Sequence, residues 1–139
     1  MLGKIILCKD AKTHDSDVLI ANPVLVQMIP FIPATPSFRL VGCIAIEDAR
    51  RSSYDILVVL KDANEKVVSS FEGQLVNPES SNEIDEWKTN IVFNLSLEDI
   101  QVHSEGLHAF ELYVDEELVD ITNFLVKVDP QTPPKVEVK

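Results

Sequence analysis

Trp87-Lys88-Thr89-Asn90-Ile91-Val92-Phe93-Asn94-Leu95-Ser96-Leu97 carries the cleanest period-two pattern in the chain. Trp87, Ile91, Phe93, Leu95 and Leu97 share one parity, while Lys88, Asn90, Asn94 and Ser96 stand on the other. Successive side chains of a strand point to opposite faces, so this stretch reads as a half-buried β-strand with one face on a core and one in water. The same rhythm recurs on both sides of it, and helical spacing is nearly absent.

Downstream, Ser96-Leu97-Glu98-Asp99 has the spacing of a capping box and Gly106 offers a stop, so about one helical turn is expected between them. Phe110, Leu112 and Val114 then form a strand, with His108 on the same parity. Glu116-Glu117 or their neighbours turn the chain, and Leu118 to Val128 returns antiparallel. The apolar parity shifts from Val119 and Ile121 to Phe124, Val126 and Val128, which places a bulge near Thr122-Asn123.

Upstream, Asn77 to Glu86 has no periodicity and is expected to be a protease-sensitive surface loop. Tyr54, Ile56, Val58 and Leu60 lead through the turn chemistry of Asp62 to Lys66 into a strand whose core face carries Val67, Phe71 and Leu75. Phe38, Leu40, Ile44 and Ile46 form another, where Gly42 on the apolar parity marks a bulge or a close approach. Ile29 to Pro36, with Pro30, Pro33 and Pro36, is too rich in proline for a sheet interior and too apolar for a floppy linker, and suits a crossing from one sheet to another. Val18, Ile20, Val24, Val26 and Met28 share a parity interrupted by Pro23, giving two short strands or a broken edge strand; Leu2 to Lys9 is apolar on both faces, as a central strand is.

Seven or eight strands at this spacing predict an all-β, two-sheet antiparallel β-sandwich of Ig-like or Greek-key type with one short helical turn, ahead of a small barrel. Trp87, Phe93, Phe110 and Phe124 are its expected aromatic core. Residues 1–128 are read as one domain and 129–139 as a C-terminal tail.

The 139 residues hold 12 basic and 23 acidic side chains, a formal net charge of -11. Such a surface repels phosphate backbones and anionic lipids, so neither nucleic acid nor membrane is an expected partner. The apolar run Ile5 to Leu7 is too short for a signal-peptide core or a membrane span, which points to the cytoplasm. Cys8 and Cys43 lie in strand-like stretches without metal or redox spacing and are read as buried free thiols.

No catalytic, cofactor-binding or metal residue is assigned. His14 lies in the polar turn Thr13 to Ser16, His103 follows the expected helical turn, and none of the three histidines has the setting of a catalytic base. His103, Glu105 and His108 lack the spacing of a closed metal site. Asp115, Glu116, Glu117 and Asp120 are the candidates for calcium, but a hairpin tip rich in acids more simply keeps a protein soluble. Phosphate-binding loops and nucleophile elbows are missing, and no carboxylate pair stands in an apolar setting that would make a hydrolase.

The stretch Gly106-Leu107-His108-Ala109-Phe110-Glu111-Leu112-Tyr113-Val114-Asp115-Glu116-Glu117-Leu118 resembles the closing hairpin of a family of uncharacterised bacterial β-sandwich proteins. There a Pro-Gly-x-Tyr-x-Phe-x-Leu-x-Val-Asp-Gly pattern leads into the last strand; here Ser104-Glu105 replaces the common proline and Glu116 the turn glycine. The order of earlier elements is similar too, over most of residues 2 to 128. The resemblance implies a sandwich and transfers no activity. The expected function is a non-enzymatic interaction or structural domain with a protein partner or a second copy of itself, without cofactor. The alternatives are a small-ligand or carbohydrate module stacking on Trp87, Tyr54 or Tyr113, and a hydrolase with an unrecognised acidic site.

Overall fold

The computed structural model describes residues 1–14, 17–48, 50–77 and 90–129, with backbone alone for 13, 14 and 17–21. The described residues are all-β: β1 (Gly3–His14), β2 (Asp17–Pro23), β3 (Val26–Ile29), β4 (Phe38–Ala45), β5 (Ser53–Lys61), β6 (Val67–Val76), β7 (Asn90–Leu97), β8 (Gly106–Val114) and β9 (Glu117–Val128). They form a four-stranded sheet in the order β2-β1-β4-β7 and a five-stranded sheet in the order β3-β9-β8-β5-β6, and the expected antiparallel pairing is corrected at one place, where β3 runs parallel to β9. Among the described residues nine strands replace the expected seven or eight, because the segment from Asp17 to Ile29 divides into two and its second piece changes sheet. The break falls at Val24-Leu25, just past the expected Asn22-Pro23, since Pro23 still pairs with Cys8 as the last residue of β2.

The core lies between the two inner faces. Phe38 meets Phe110 edge-on at 5.3 Å between ring centres, and Phe110 stacks on Phe124 at 5.4 Å. Phe93 is buried with them, as expected, and Phe38 and Tyr54 join the aromatic core. Trp87, residues 78–86 of the expected surface loop and residues 130–139 of the expected tail lie outside the described residues. Asn77, placed in that loop by sequence, is buried, and its amide donates to Ser52 O at 2.8 Å.

Gly42 sits opposite Phe93 in an unbroken register, so the close-approach reading holds and the bulge reading does not. A Cβ there would strike the Phe93 ring and stand 2.8 Å from Lys4 O. The Ile29 to Pro36 segment does carry the chain from the five-stranded sheet to the four-stranded one. Ala34 exchanges two backbone hydrogen bonds with Val102, at 3.1 and 2.7 Å.

Four expectations need correction. No helical turn forms at Ser96 to Asp99: Ser96 and Leu97 end β7, and Asp99 takes φ 60°. The reason is downstream, where Ile100 and Val102, two residues apart and both buried, need an extended chain. The β9 bulge lies at Val119 rather than Thr122-Asn123, since Leu112 pairs Asp120 and Tyr113 pairs Leu118. Val67 faces solvent beside Lys61, because a register shift after Leu60 turns it away from the face of Leu75. Val26 and Met28 also point outward, and Ile29 is the β3 residue in the core.

Candidate functional site

The outer face of the five-stranded sheet departs most from the polar exterior expected of an antiparallel sheet. Its side chains follow from the register. At one end Val26 (β3), Leu125 (β9) and Leu107 (β8) stand abreast, with Met28 beside Lys127 one step further out. Two rows along, Ile121, Glu111, Val59 and Ser70 cross the sheet, and after them Leu118, Tyr113, Leu57 and Glu72. Val26, Leu107 and Leu125 are 45%, 54% and 46% exposed. More than half of the exposed large hydrophobics among the described residues, Val26, Met28, Val67, Val76, Leu107, Leu118, Ile121 and Leu125, belong to this one face.

The other end is acidic. A shallow groove of about 900 Å³ is lined by Asp55, Leu57, Glu72, Gly73, Gln74, Tyr113, Asp115 and Glu116, among others. Gln74 Nε2 donates to Asp55 Oδ1 at 3.0 Å across the β5–β6 pair. Arg51 grips Asp115 with both terminal guanidinium nitrogens, at 2.6 and 2.7 Å, and lies 4.4 Å over the Tyr54 ring. The Arg51 hydrogen bond, helped by the Asp55 amide, holds the Asp115 carboxyl below its ordinary range. Midway along the face Lys61 Nζ and Tyr113 Oη meet the buried Glu111 carboxylate, at 3.0 and 2.9 Å. Donation to Glu111 raises the pKa of both Tyr113 and Lys61.

The calcium candidates are not brought together. Asp115 is engaged by Arg51, and Glu117 meets the Met1 ammonium at 3.2 Å. Asp120 turns inward, where its Oδ2 accepts from the Ile5 amide at 2.9 Å, leaving Glu116 at the turn. Among the described residues no three His, Cys, Asp or Glu side chains form a metal-ligating group. His103 is exposed, whereas His108 is buried against Phe124 with its Nδ1 bonded to Gly106 O at 3.0 Å. Glu105 accepts from the Val128 amide, and the side chain of His14 lies outside the described residues.

Both cysteines are free. Cys8 is buried, and burial raises its thiol pKa; Cys43 is only half-buried, which corrects the reading of two buried thiols. They sit beside Arg39 and Lys4 respectively, four residues apart along the β1–β4 ladder and beyond disulfide reach. Of the aromatic side chains offered for ligand stacking, Tyr54 is buried in the core and Tyr113 lines the groove. The apolar row of Val26, Leu107 and Leu125 escaped the sequence reading, although Leu107 and Leu125 share the parity of Ala109, Glu111, Asn123 and Lys127, a solvent parity.

No helix of the described residues is long and apolar enough to cross a membrane. No curated protein matches the sequence. A solved β-glucosidase from Listeria innocua, in complex with glucose, is similar over 89% of this chain and 16% of its own, at 12% identity and TM-score 0.41. That likeness is too slight to bear on chemistry. A family model matches residues 5–127, nearly the whole of both sheets, and the chain belongs to that family, DUF6941, a family of unknown function.

Proposed function

We propose that this protein is a non-catalytic interaction domain that holds a protein partner on the outer face of its five-stranded sheet. One observation carries the reading: Val26, Leu125 and Leu107 stand side by side on three neighbouring strands, each about half exposed. Single exposed apolar residues are ordinary, but a contiguous row rimmed by polar groups marks an interaction surface. A soluble chain keeps such a row against the cost of hydrating it, and covering it recovers roughly 25 cal/mol per Å².

The test is a paired comparison of the wild-type chain and the L107S/L125S variant. Both positions face solvent, so the variant should keep its fold and its cooperative melt. Sedimentation or immobilised-chain capture should show an association, with a second copy or with another protein, in the wild type that the variant lacks. A strict monomer that captures nothing, or equal capture by both chains, would remove the reading.

A further inference from the structure

We infer that the partner presents an apolar end and a cationic end on one segment, laid along the strands from the Leu107 row to the acidic groove. The inference rests on the interaction reading and specifies the chemistry of what binds there. The two ends lie on a common face, six residues apart along β8 between Leu107 and Tyr113. At about 3.3 Å per strand residue that separates them by roughly 20 Å.

The charges of the face decide between partners. Arg51 is engaged by Asp115 and Lys61 by Glu111, so two of its cations are already neutralised. Lys127 remains, far from the groove and next to Met28. Asp55 is held by a neutral amide, and Glu72 and Glu116 have no cation beside them among the described residues. A second copy of this chain would bring more carboxylates than cations to the same groove, since each copy has a formal net charge of -11. Like-charge juxtaposition opposes that pairing, whereas lysine or arginine on a different partner complements it and speeds encounter. Apolar contact at the Leu107 row supplies the burial, and the cations set direction.

The probe is a synthetic peptide with a Val/Leu-rich half and a Lys-rich half, and its counterpart with Glu in place of Lys. Each is titrated into the full chain and followed by backbone amide NMR shifts. The lysine peptide should shift outer-face amides of β5, β8 and β9, bind more weakly as NaCl rises, and lose about ten-fold in affinity with either L107S/L125S or E72Q/E116Q. The glutamate peptide should not bind. An E98Q/D99N control, away from this face, should bind as the wild type does.

Equal weakening by the control, or shifts scattered over all acidic loops, would mean non-specific charge attraction and would overturn the inference. Loss with L107S/L125S but none with E72Q/E116Q would overturn the cationic end and leave the interaction reading standing. A wild-type dimer abolished by L125S would assign the face to a second copy. Contacts in the free chain between residues 130–139 and Leu107 would assign it to the chain's own end.

Discussion

Asp115 and Glu116 both take positive φ, 50° and 70°, to close the β8–β9 hairpin in two residues. That is the backbone of a type I′ turn, which asks for Asn-Gly or Asp-Gly. Asp115 tolerates the left-handed region through its short polar side chain, whereas Glu116 has no such relief. Replacing Glu116 by Gly should therefore raise stability by about 1 kcal/mol, read as a higher urea midpoint at unchanged slope. A lower midpoint would show that the glutamate makes a compensating contact. At the neighbouring residue the sign of a pH effect follows from Arg51. Because the folded Asp115 carboxyl lies below its ordinary value, its contribution is fully present above about pH 4 and is lost as pH falls through the lower folded value. R51Q removes the main cause of the lowering, so the fall in urea midpoint on acidification below about pH 4 should be shallower in that variant. Parallel acid limbs for the two proteins would assign the pH dependence to other carboxylates.

Strands were legible because alternation is a local property. Phe93, Phe110 and Phe124 reached the core by parity alone, and Gly42 announced the close approach that Phe93 makes over it. What stayed hidden depends on what lies across from a residue. The parity of Val26 and Met28 shows that one face of β3 is apolar, yet only the pairing with β9 shows that this face looks outward. Ser96 to Asp99 satisfies a capping box on paper, and the need to bury Ile100 and Val102 two residues apart overrides it. The outer-face site was hidden for the same reason, since it needs β3 beside a β8–β9 hairpin that lies far from it in sequence. Asp120 is a further case, an acid at a hairpin that serves as an internal acceptor. Residues Gly3 to Leu7 of β1 pair with β4 on one side and have no β2 partner on the other, so the Ile5 amide needs another acceptor. Asp120 Oδ2 supplies it, and the Val119 bulge lets β9 come close enough at Gly3. D120A leaves that amide without its partner and should cost about 1–3 kcal/mol. Faster hydrogen exchange at Ile5 would accompany the loss and tie it to this bond; destabilisation with Ile5 still protected would place the cause elsewhere.

At the scale of the whole molecule, 23 acidic side chains against 12 basic ones leave a net repulsion that the fold must overcome. Its ion pairs are local devices: Arg51 with Asp115 and Lys61 with Glu111 each fix one part of the five-stranded sheet. Such pairs are partly exposed and worth little individually, while repulsion among the excess carboxylates acts over the whole surface. Salt weakens both, with opposite effects on stability, and the larger of the two sets the sign. For this charge balance the repulsion wins, so the melting temperature should rise by a few degrees between about 10 mM and 200 mM NaCl, as the screening length falls below about 10 Å. NaCl over this range acts chiefly by screening, whereas sulfate would add preferential exclusion and confuse the reading. A falling melting temperature would mean that the ion pairs outweigh the excess charge. The same sign governs the outer face. If salt stabilises the free chain by masking its carboxylates, a cationic segment on Glu72 and Glu116 should stabilise it as well, and the melting shift that the lysine peptide produces should shrink as NaCl rises.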